Sequence, residues 1–171
     1  MSYIFLNGNS NNEQQKGKNN SKYSIWMSSI LRRSEEIGKV ELPICSIILD
    51  ERGRCIGRGV NRRNINKDPL GHAEIRALKQ ASLIKNDWRF NECTIITNLE
   101  PCTMYASALI QARMGKVVFG AYDKKRGGLG GSIDLSKHES AHHKMEIVGG
   151  ILEDECSQIL QIWFKKLRTQ K

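Results

Sequence analysis

Apolar residues at helical spacing predict helices at both ends of the chain. A stripe that includes Trp26 and Ile30 predicts a helix from about residue 23 to residue 38. Similar patterns predict helices over roughly residues 71–85 and 101–113. The final helix has the clearest pattern, with an apolar stripe of Leu152, Cys156, Ile159, Leu160, Trp163, Phe164 and Leu167.

Short runs of β-branched and aliphatic residues lie between the predicted helices. Two of them flank the sequence ERGR and therefore predict a β-hairpin. Strand–helix–strand units imply parallel pairing, whereas the hairpin adds an antiparallel pair. The pattern predicts an α/β fold, a mixed five-stranded sheet with helices on both faces. The predicted strands cover residues 44–50, 55–60, 93–98, 116–121 and 145–150.

The beginning of the chain has a different composition from the rest. Residues 7–22 are rich in Asn, Gln and Lys and contain no aliphatic side chain. Such a segment buries too little apolar surface to offset chain entropy, so a disordered polar arm is predicted over residues 1–21. A solvated tail without a role is favoured over an arm that grips RNA. Residues 22–171 form one predicted domain.

Composition argues against a membrane-spanning or secreted protein. The chain has no apolar run of 18 residues, so no membrane span is predicted, and its first residues lack the basic region of a signal peptide. Five scattered cysteines favour reduced thiols in a cytoplasmic protein. The net charge of +9 attracts polyanions. Charge alone does not separate a nucleic-acid-binding protein from one with a merely basic surface.

Two short motifs suggest metal chemistry. His72 and Glu74 lie at the start of one predicted helix, and Pro101-Cys102 opens the next. Alone, each motif is more often structural: Glu in a first helical turn compensates the dipole, and a single Cys is usually buried. Together they lie at the same edge of the sheet. An imidazole and a thiolate are zinc ligands, and a nearby Glu accepts a proton from zinc-bound water, whose pKa zinc lowers to about 7.

These motifs resemble the zinc-dependent nucleoside and nucleobase deaminases, whose signature is H-x-E followed by P-C-x-x-C. The chain is more closely similar to the bacterial tRNA adenosine deaminases, from about Lys22 to Arg168. Its GGILEDEC segment, with the helix after it, favours those enzymes over free-base relatives such as guanine deaminase. The segments that carry the closer resemblance are GRGVNRRN, HAEIRAL, NLEPC, RMGKVVFGAYD and GGILEDEC.

The resemblance implies a three-layer cytidine-deaminase-like fold for the deaminase domain, residues 22–171, and a role for each matching residue. His72 and Cys102 would bind Zn²⁺, and Glu74 would be the general acid and base. Asn61 would hydrogen-bond the flipped base, and Asp123 would contact the nucleotide backbone. The basic residues expected to meet phosphates are Lys124, Lys125, Arg126, Lys165, Lys166 and Arg168.

The implied reaction is hydrolytic deamination of adenosine to inosine at the wobble position of a tRNA anticodon. The implied partners are the tRNA anticodon stem-loop and a second copy of the chain, because family members of this kind are usually homodimers. Two alternatives remain open. One is a catalytically silent RNA-binding homologue with a lost or weakened zinc site. The other is a nucleobase deaminase of the same fold, acting on guanine or cytosine.

One position departs from the family signature. Tyr105 stands where the second cysteine of P-C-x-x-C is expected, on the same helix face as Cys102. A phenol has a pKa of about 10, against about 8.5 for a thiol, and its oxygen lies further from the backbone. Three outcomes are open: a phenolate or second water completes the zinc shell, zinc binds weakly or not at all, or Tyr105 is a recent change in an intact enzyme. The candidate replacement ligands, all weaker, are Cys45, Cys93, Cys156, His138, His142 and His143.

Overall fold

A computed structural model describes residues 10–169 of the chain, with side chains from residue 21 onwards. The strands are β1 (Cys45–Leu49), β2 (Cys55–Val60), β3 (Thr94–Leu99), β4 (Lys116–Ala121) and β5 (Glu146–Val148). The helices are α1 (Ser10–Ile37), α2 (Arg63–Asn66), α3 (Ala73–Lys85), α4 (Thr103–Gln111) and α5 (Glu153–Thr169), with a 3₁₀ turn at Leu135–Lys137.

The five strands form one mixed sheet in the order β2-β1-β3-β4-β5. The hairpin β1–β2 is antiparallel, and β1 also runs antiparallel to β3. The pairs β3–β4 and β4–β5 are parallel, as expected for strands joined through a crossover. The predicted mixed five-stranded sheet is confirmed.

Alternate residues of the central strands face opposite sides of the sheet, so the domain has three layers. Ile47 belongs to a core with α1 and α5, whereas the adjacent Ile48 belongs to a core with α3 and α4. The same alternation separates Ile96 from Ile95 on β3. Helices therefore cover both faces of the sheet, as the sequence pattern predicts.

Helix α3 packs directly against the backbone of β2. A side chain at Gly59 would overlap the main-chain carbonyl oxygen of Ala73, and one at Gly57 would overlap that of Ala77. Only glycine permits this approach. The contact fixes the first turn of α3 against the sheet.

Several boundaries differ from the sequence-based expectations. In the structure α1 begins at Ser10, so its backbone includes residues 10–21, where an arm was predicted. That segment has no proline, and its Gln, Glu and Lys residues have good helix propensity. The predicted arm's residues 1–9 lie outside the described residues. Helix α2 and the 3₁₀ turn were not predicted.

Only the first half of the predicted apolar stripe on α5 is buried. Cys156 and Leu160 are buried, whereas Phe164 is 48% exposed and Leu167 is 43% exposed. The last turns of α5 therefore extend beyond the core that its first turns complete. Within residues 10–169, none of the helices combines the length and the apolar character needed to cross a membrane.

Candidate active site

The site lies where α3 and α4 begin. His72 is the N-cap of α3, and Cys102 is the N-cap of α4, each with extended backbone. Because His72 precedes the first helical turn, it does not follow the regular helical rotation that would separate it from Glu74. Tyr105 joins the two helices, since its ring centroid lies 4.5 Å from that of His72.

Glu74 is the buried carboxyl group of the site. It lies in the first turn of α3 and is 3% exposed. Its Oε2 atom has no hydrogen-bond partner among the described residues. Burial raises the pKa of Glu74 to about 7. The side chain can therefore hold or release a proton near neutral pH, and its unpaired oxygen leaves room for a further hydrogen-bond partner.

The environment of His72 favours a neutral imidazole. Burial lowers its pKa to about 4, and the charges of Arg63 and Arg126 act in the same direction. A neutral imidazole is the form that binds a metal ion or accepts a hydrogen bond. The two arginines also place positive charge beside the site.

The Cys102 thiol differs from the expectation for a helix N-terminus. A helix N-terminus by itself lowers the pKa of a cysteine thiol. Burial instead raises the pKa of Cys102, and the charges of Glu74 and Asp123 add to the rise, although the N–H groups of Tyr105 and Met104 oppose it. Desolvation therefore outweighs the helix N-terminus at Cys102.

Tyr105 is completely buried, with 0% exposure. Its hydroxyl donates a hydrogen bond of 3.3 Å to the carbonyl oxygen of Leu70. The same carbonyl accepts the N–H of His72 at 2.8 Å. The pKa of Tyr105 lies well above its ordinary value because of burial and the charges of Glu74 and Cys102. The phenol is thus protonated, and its hydrogen bond is made to the loop before α3.

These donors do not fit a three-ligand zinc centre. Such a centre needs three protein ligands and an open position for water. His72 and Cys102 supply two, while the Tyr105 hydroxyl is directed to Leu70. No three His, Cys, Asp or Glu side chains in the described part of the chain are grouped as a metal site. The pocket is therefore one protein ligand short.

The other cysteines and histidines do not replace this ligand. Burial raises the pKa of Cys45 to about 11, and its neighbours Ser34, Arg33 and Glu36 all belong to α1. Cys93 is buried just before β3, near Lys85. The remaining candidates have other neighbours: Cys156 on α5 points into the core, His138 bonds Ser140, His143 bonds the Met114 carbonyl, and His142 is exposed.

Asn61 is held at the end of β2 by a buried carboxylate. Its Nδ2 donates to Oε1 of Glu41 at 3.2 Å, and Glu41 is 1% exposed. Glu41 also accepts hydrogen bonds from the main-chain N–H groups of Asn64, at 2.8 Å, and Ile65, at 3.1 Å. The bond between Asn61 and Glu41 uses the amide nitrogen of Asn61, so Oδ1 takes no part in the contact with Glu41. Glu41 therefore fixes the loop and leaves the Asn61 oxygen available.

Asp123 lies in a loop that folds back onto Cys102. The Thr103 N–H donates to the Arg126 carbonyl at 3.2 Å, and the Gly128 N–H donates to the Pro101 carbonyl at 2.9 Å. The Asp123 carboxylate accepts the N–H groups of Lys125 and Arg126. The Asp123 carboxylate therefore stabilises the turn in which it lies. Its charge also raises the pKa of the Cys102 thiol.

A second buried carboxylate organises this loop. Glu100, 2% exposed, accepts the main-chain N–H groups of Asp123, Leu129 and Gly131, each at 2.9 Å. Sequence reasoning missed both Glu41 and Glu100. The available signal was an acidic residue inside an otherwise apolar segment, VELPI for Glu41 and NLEPC for Glu100. The tertiary fold decides which main-chain N–H groups donate hydrogen bonds to each carboxylate.

The predicted phosphate-contacting residues fall into two groups. Lys124, Lys125 and Arg126 are exposed in the loop that packs against Cys102. Lys165, Lys166 and Arg168 are exposed on α5, which packs against α1 and β4. Only the first group lies on the loop that borders the site.

Comparison with known proteins gives consistent matches. Residues 20–121 match the sequence model of the cytidine and deoxycytidylate deaminase zinc-binding region. The chain is 35% identical to the tRNA-specific adenosine deaminase of Haemophilus influenzae, over 81% of this chain and 79% of that protein. It is 36% identical to the tRNA-specific adenosine deaminase of Bacillus subtilis, over 82% and 85%.

Solved structures agree with these matches. A tRNA:A34 deaminase studied for A-to-I editing at the wobble position of transfer RNA superposes with a TM-score of 0.74 and 30% identity, covering 78% of this chain and 97% of that one. A guanine deaminase from Nitrosomonas europaea superposes with a TM-score of 0.66 at 22% identity, covering 80% of this chain and 81% of that one. The second likeness supports the fold alone.

Proposed function

We propose that this chain, which belongs to the cytidine and deoxycytidylate deaminase family, catalyses the hydrolytic deamination of adenosine to inosine at the wobble position of a tRNA anticodon. Relatives that are tRNA-specific adenosine deaminases match over about four-fifths of the chain, at 35% and 36% identity. The similar structure of a tRNA:A34 deaminase supports the same substrate.

The observation that carries the reaction type is the unpaired oxygen of buried Glu74. In the reaction, water adds to C6 of the adenine ring and the exocyclic nitrogen leaves as ammonia. Glu74 takes one proton from the water as the oxygen adds to C6 and delivers it to the adjacent ring nitrogen. It then takes the second proton from the new C6 hydroxyl and delivers it to the exocyclic nitrogen, which leaves as ammonia when the C6–N bond breaks. The Glu74 pKa of about 7 suits both steps, because a general acid and base works best near the operating pH.

Two other residues would hold the substrate. Asn61 offers its Oδ1 to the polar edge of the flipped base, while Glu41 fixes the amide. Asp123 and the exposed Arg126 border the pocket on the loop that covers Cys102. His72 and Cys102 are the metal ligands that this chain retains, and zinc is the cofactor of its family.

The experiment is inosine formation in an anticodon stem-loop that carries adenosine at the wobble position. The wild-type protein should form inosine there, and not in a stem-loop with guanosine at that position. Glu74→Gln should reduce turnover by about 10²-fold or more, because it removes the proton carrier. Turnover of free guanine or cytosine in place of the stem-loop would instead support a nucleobase deaminase.

A second candidate function follows from Tyr105. A folded pocket that keeps Asn61 and the bordering loop, but lacks a third metal ligand, can bind a nucleotide without turning it over. This RNA-binding homologue would bind the stem-loop and form no inosine. We further propose that the chain acts as a homodimer in the cytoplasm, which light scattering and cell fractionation test directly.

A further inference from the structure

We propose that a groove along the open edge of the sheet binds phosphate groups of the RNA strand that carries the target adenosine. The groove has a volume of about 580 Å³ and lies between α1, β2 and α3. Four arginines, Arg33, Arg58, Arg62 and Arg76, are among the residues that line it. The inference deepens the proposed function and rests on it for the identity of the RNA.

The sheet leaves this groove accessible. β2 is an edge strand, and its outer side pairs with no other strand within the described residues. On this outer side the main-chain N–H of Arg58 donates to a side chain of α3, Oε1 of Gln80, at 2.7 Å. This bond covers part of the edge with α3 and disfavours addition of a peptide strand there. A ligand of the groove would therefore be bound mainly by the charged side chains rather than by the main chain of β2.

The charge in the groove is entirely positive. The residues that line the groove include four arginines and no aspartate or glutamate. Arg33 also pairs with Glu36 on the exposed side of α1. A concave surface with one sign of charge concentrates anions, and a guanidinium matches a phosphate with two parallel hydrogen bonds.

Three of the arginines, Arg58, Arg62 and Arg76, form no ion pair with a carboxylate within residues 21–169. Arg62 and Arg76 are also half-buried. By contrast, the Arg54 and Arg89 side chains pair with Asp50 and Asp87. Partial burial of an unpaired charge is unfavourable, so an external anion would satisfy both groups.

Two groove arginines lie close to the proposed nucleotide contact along the chain. Arg62 follows Asn61 directly, and Arg58 lies three residues before Asn61 on β2. A nucleotide held by Asn61 would thus place its flanking phosphates at the end of the groove. The half-buried Trp26 also lines the groove and offers an aromatic surface to an adjacent unstacked base.

The test compares two double variants with the same change in charge. Arg58→Gln with Arg76→Gln removes two groove arginines. Arg52→Gln with Arg89→Gln removes two exposed arginines that pair with Glu51 and Asp87 outside the groove. Binding of the anticodon stem-loop is measured by fluorescence anisotropy at several salt concentrations, and circular dichroism verifies folding.

The groove variant should weaken stem-loop binding by about tenfold and reduce the slope of log K against log salt by about 1.4. The control variant should leave both quantities near the wild-type values. Equal losses in the two variants, or no loss in either, would overturn the proposal. A second probe, stabilisation of the protein by inorganic phosphate, distinguishes RNA phosphates from a small phosphate compound as the ligand of the groove. If the groove variant abolishes stabilisation by phosphate but binds RNA normally, the groove serves a small phosphate compound and the RNA assignment is wrong.

Inosine formation by the same preparations distinguishes this proposal from the proposed function. If the wild-type protein forms no inosine but its RNA affinity depends on the groove arginines, the groove assignment stands and the catalytic proposal fails. If inosine forms while the groove variant binds RNA with unchanged affinity and salt dependence, the catalytic proposal stands and the groove assignment fails.

Discussion

The ring of Tyr105 packs against the imidazole of His72, with centroids 4.5 Å apart and planes inclined by 44°. This contact ties the N-cap of α3 to the first turn of α4 at the position where the family signature has a cysteine. The pocket thus keeps Glu74, the proposed general acid and base, and the proposed metal ligands His72 and Cys102, while a buried phenol stands at the third ligand position of the family signature.

The Tyr105 hydroxyl should contribute to stability only modestly. Tyr105→Phe keeps the ring against His72 but removes the hydrogen bond to the Leu70 carbonyl. We expect the free energy of unfolding to fall by about 0.5–1.5 kcal/mol, as measured by urea denaturation. A loss several times larger would mean that the hydroxyl has further partners.

Glu41 should determine the order of the loop that carries Asn61. Glu41→Gln replaces one accepting oxygen with a donor that faces the N–H groups of Asn64 and Ile65. We expect a loss of about 1–3 kcal/mol in the free energy of unfolding and a higher KM for the stem-loop. Glu35→Gln, at an exposed position on α1, is the matched control. Equal effects of the two substitutions would contradict the role of Glu41.

Glu100 should hold the loop that borders Cys102. Its carboxylate accepts three main-chain N–H groups from residues 123, 129 and 131. In Glu100→Gln, hydrogen exchange at these three amides should accelerate by about tenfold or more, because one acceptor is lost beside them. Glu92→Gln, at an exposed position before β3, should leave them unchanged. Unaltered protection in Glu100→Gln would refute the assignment.

The close packing of α3 on β2 should make Gly59 intolerant of substitution. In Gly59→Ala the new methyl group overlaps the carbonyl oxygen of Ala73, so α3 must shift. We expect a destabilisation of about 1–3 kcal/mol or more, together with loss of deamination, because His72 and Glu74 move with the helix. A variant with wild-type stability and activity would show that α3 repositions without cost.

Much of the architecture was predictable because it depends on local patterns. Short β-rich runs marked the strands, and the strand–helix–strand order predicted a sheet covered on both faces. The structure confirms this arrangement, with Ile47 and Ile48 in different cores. The identities of His72, Glu74 and Cys102 followed from motif spacing. That His72 and Cys102 are N-caps is visible only in the structure, because sequence patterns locate helix boundaries only approximately.

The remaining features depend on contacts between distant parts of the chain. Spacing placed Tyr105 on the same helix face as Cys102, but the direction of its hydroxyl depends on Leu70, 35 residues earlier. The raised pKa of Cys102 depends on burial, which outweighs the opposing N–H groups at the start of α4. Glu41 bonds main-chain groups 23 and 24 residues later. None of these pairings has a periodic signature in the sequence.

The most direct test of the account measures zinc per chain and inosine formation in the same preparations of wild-type, Tyr105→Cys and Tyr105→Phe protein, purified without chelator. The account predicts inosine from the wild type, with zinc well below one per chain. In Tyr105→Cys, which regains a third ligand, zinc should approach one per chain and turnover should increase about tenfold or more. Tyr105→Phe should show no such gain. Full zinc occupancy in the wild type, or a loss of both zinc and turnover in Tyr105→Cys, would contradict the account.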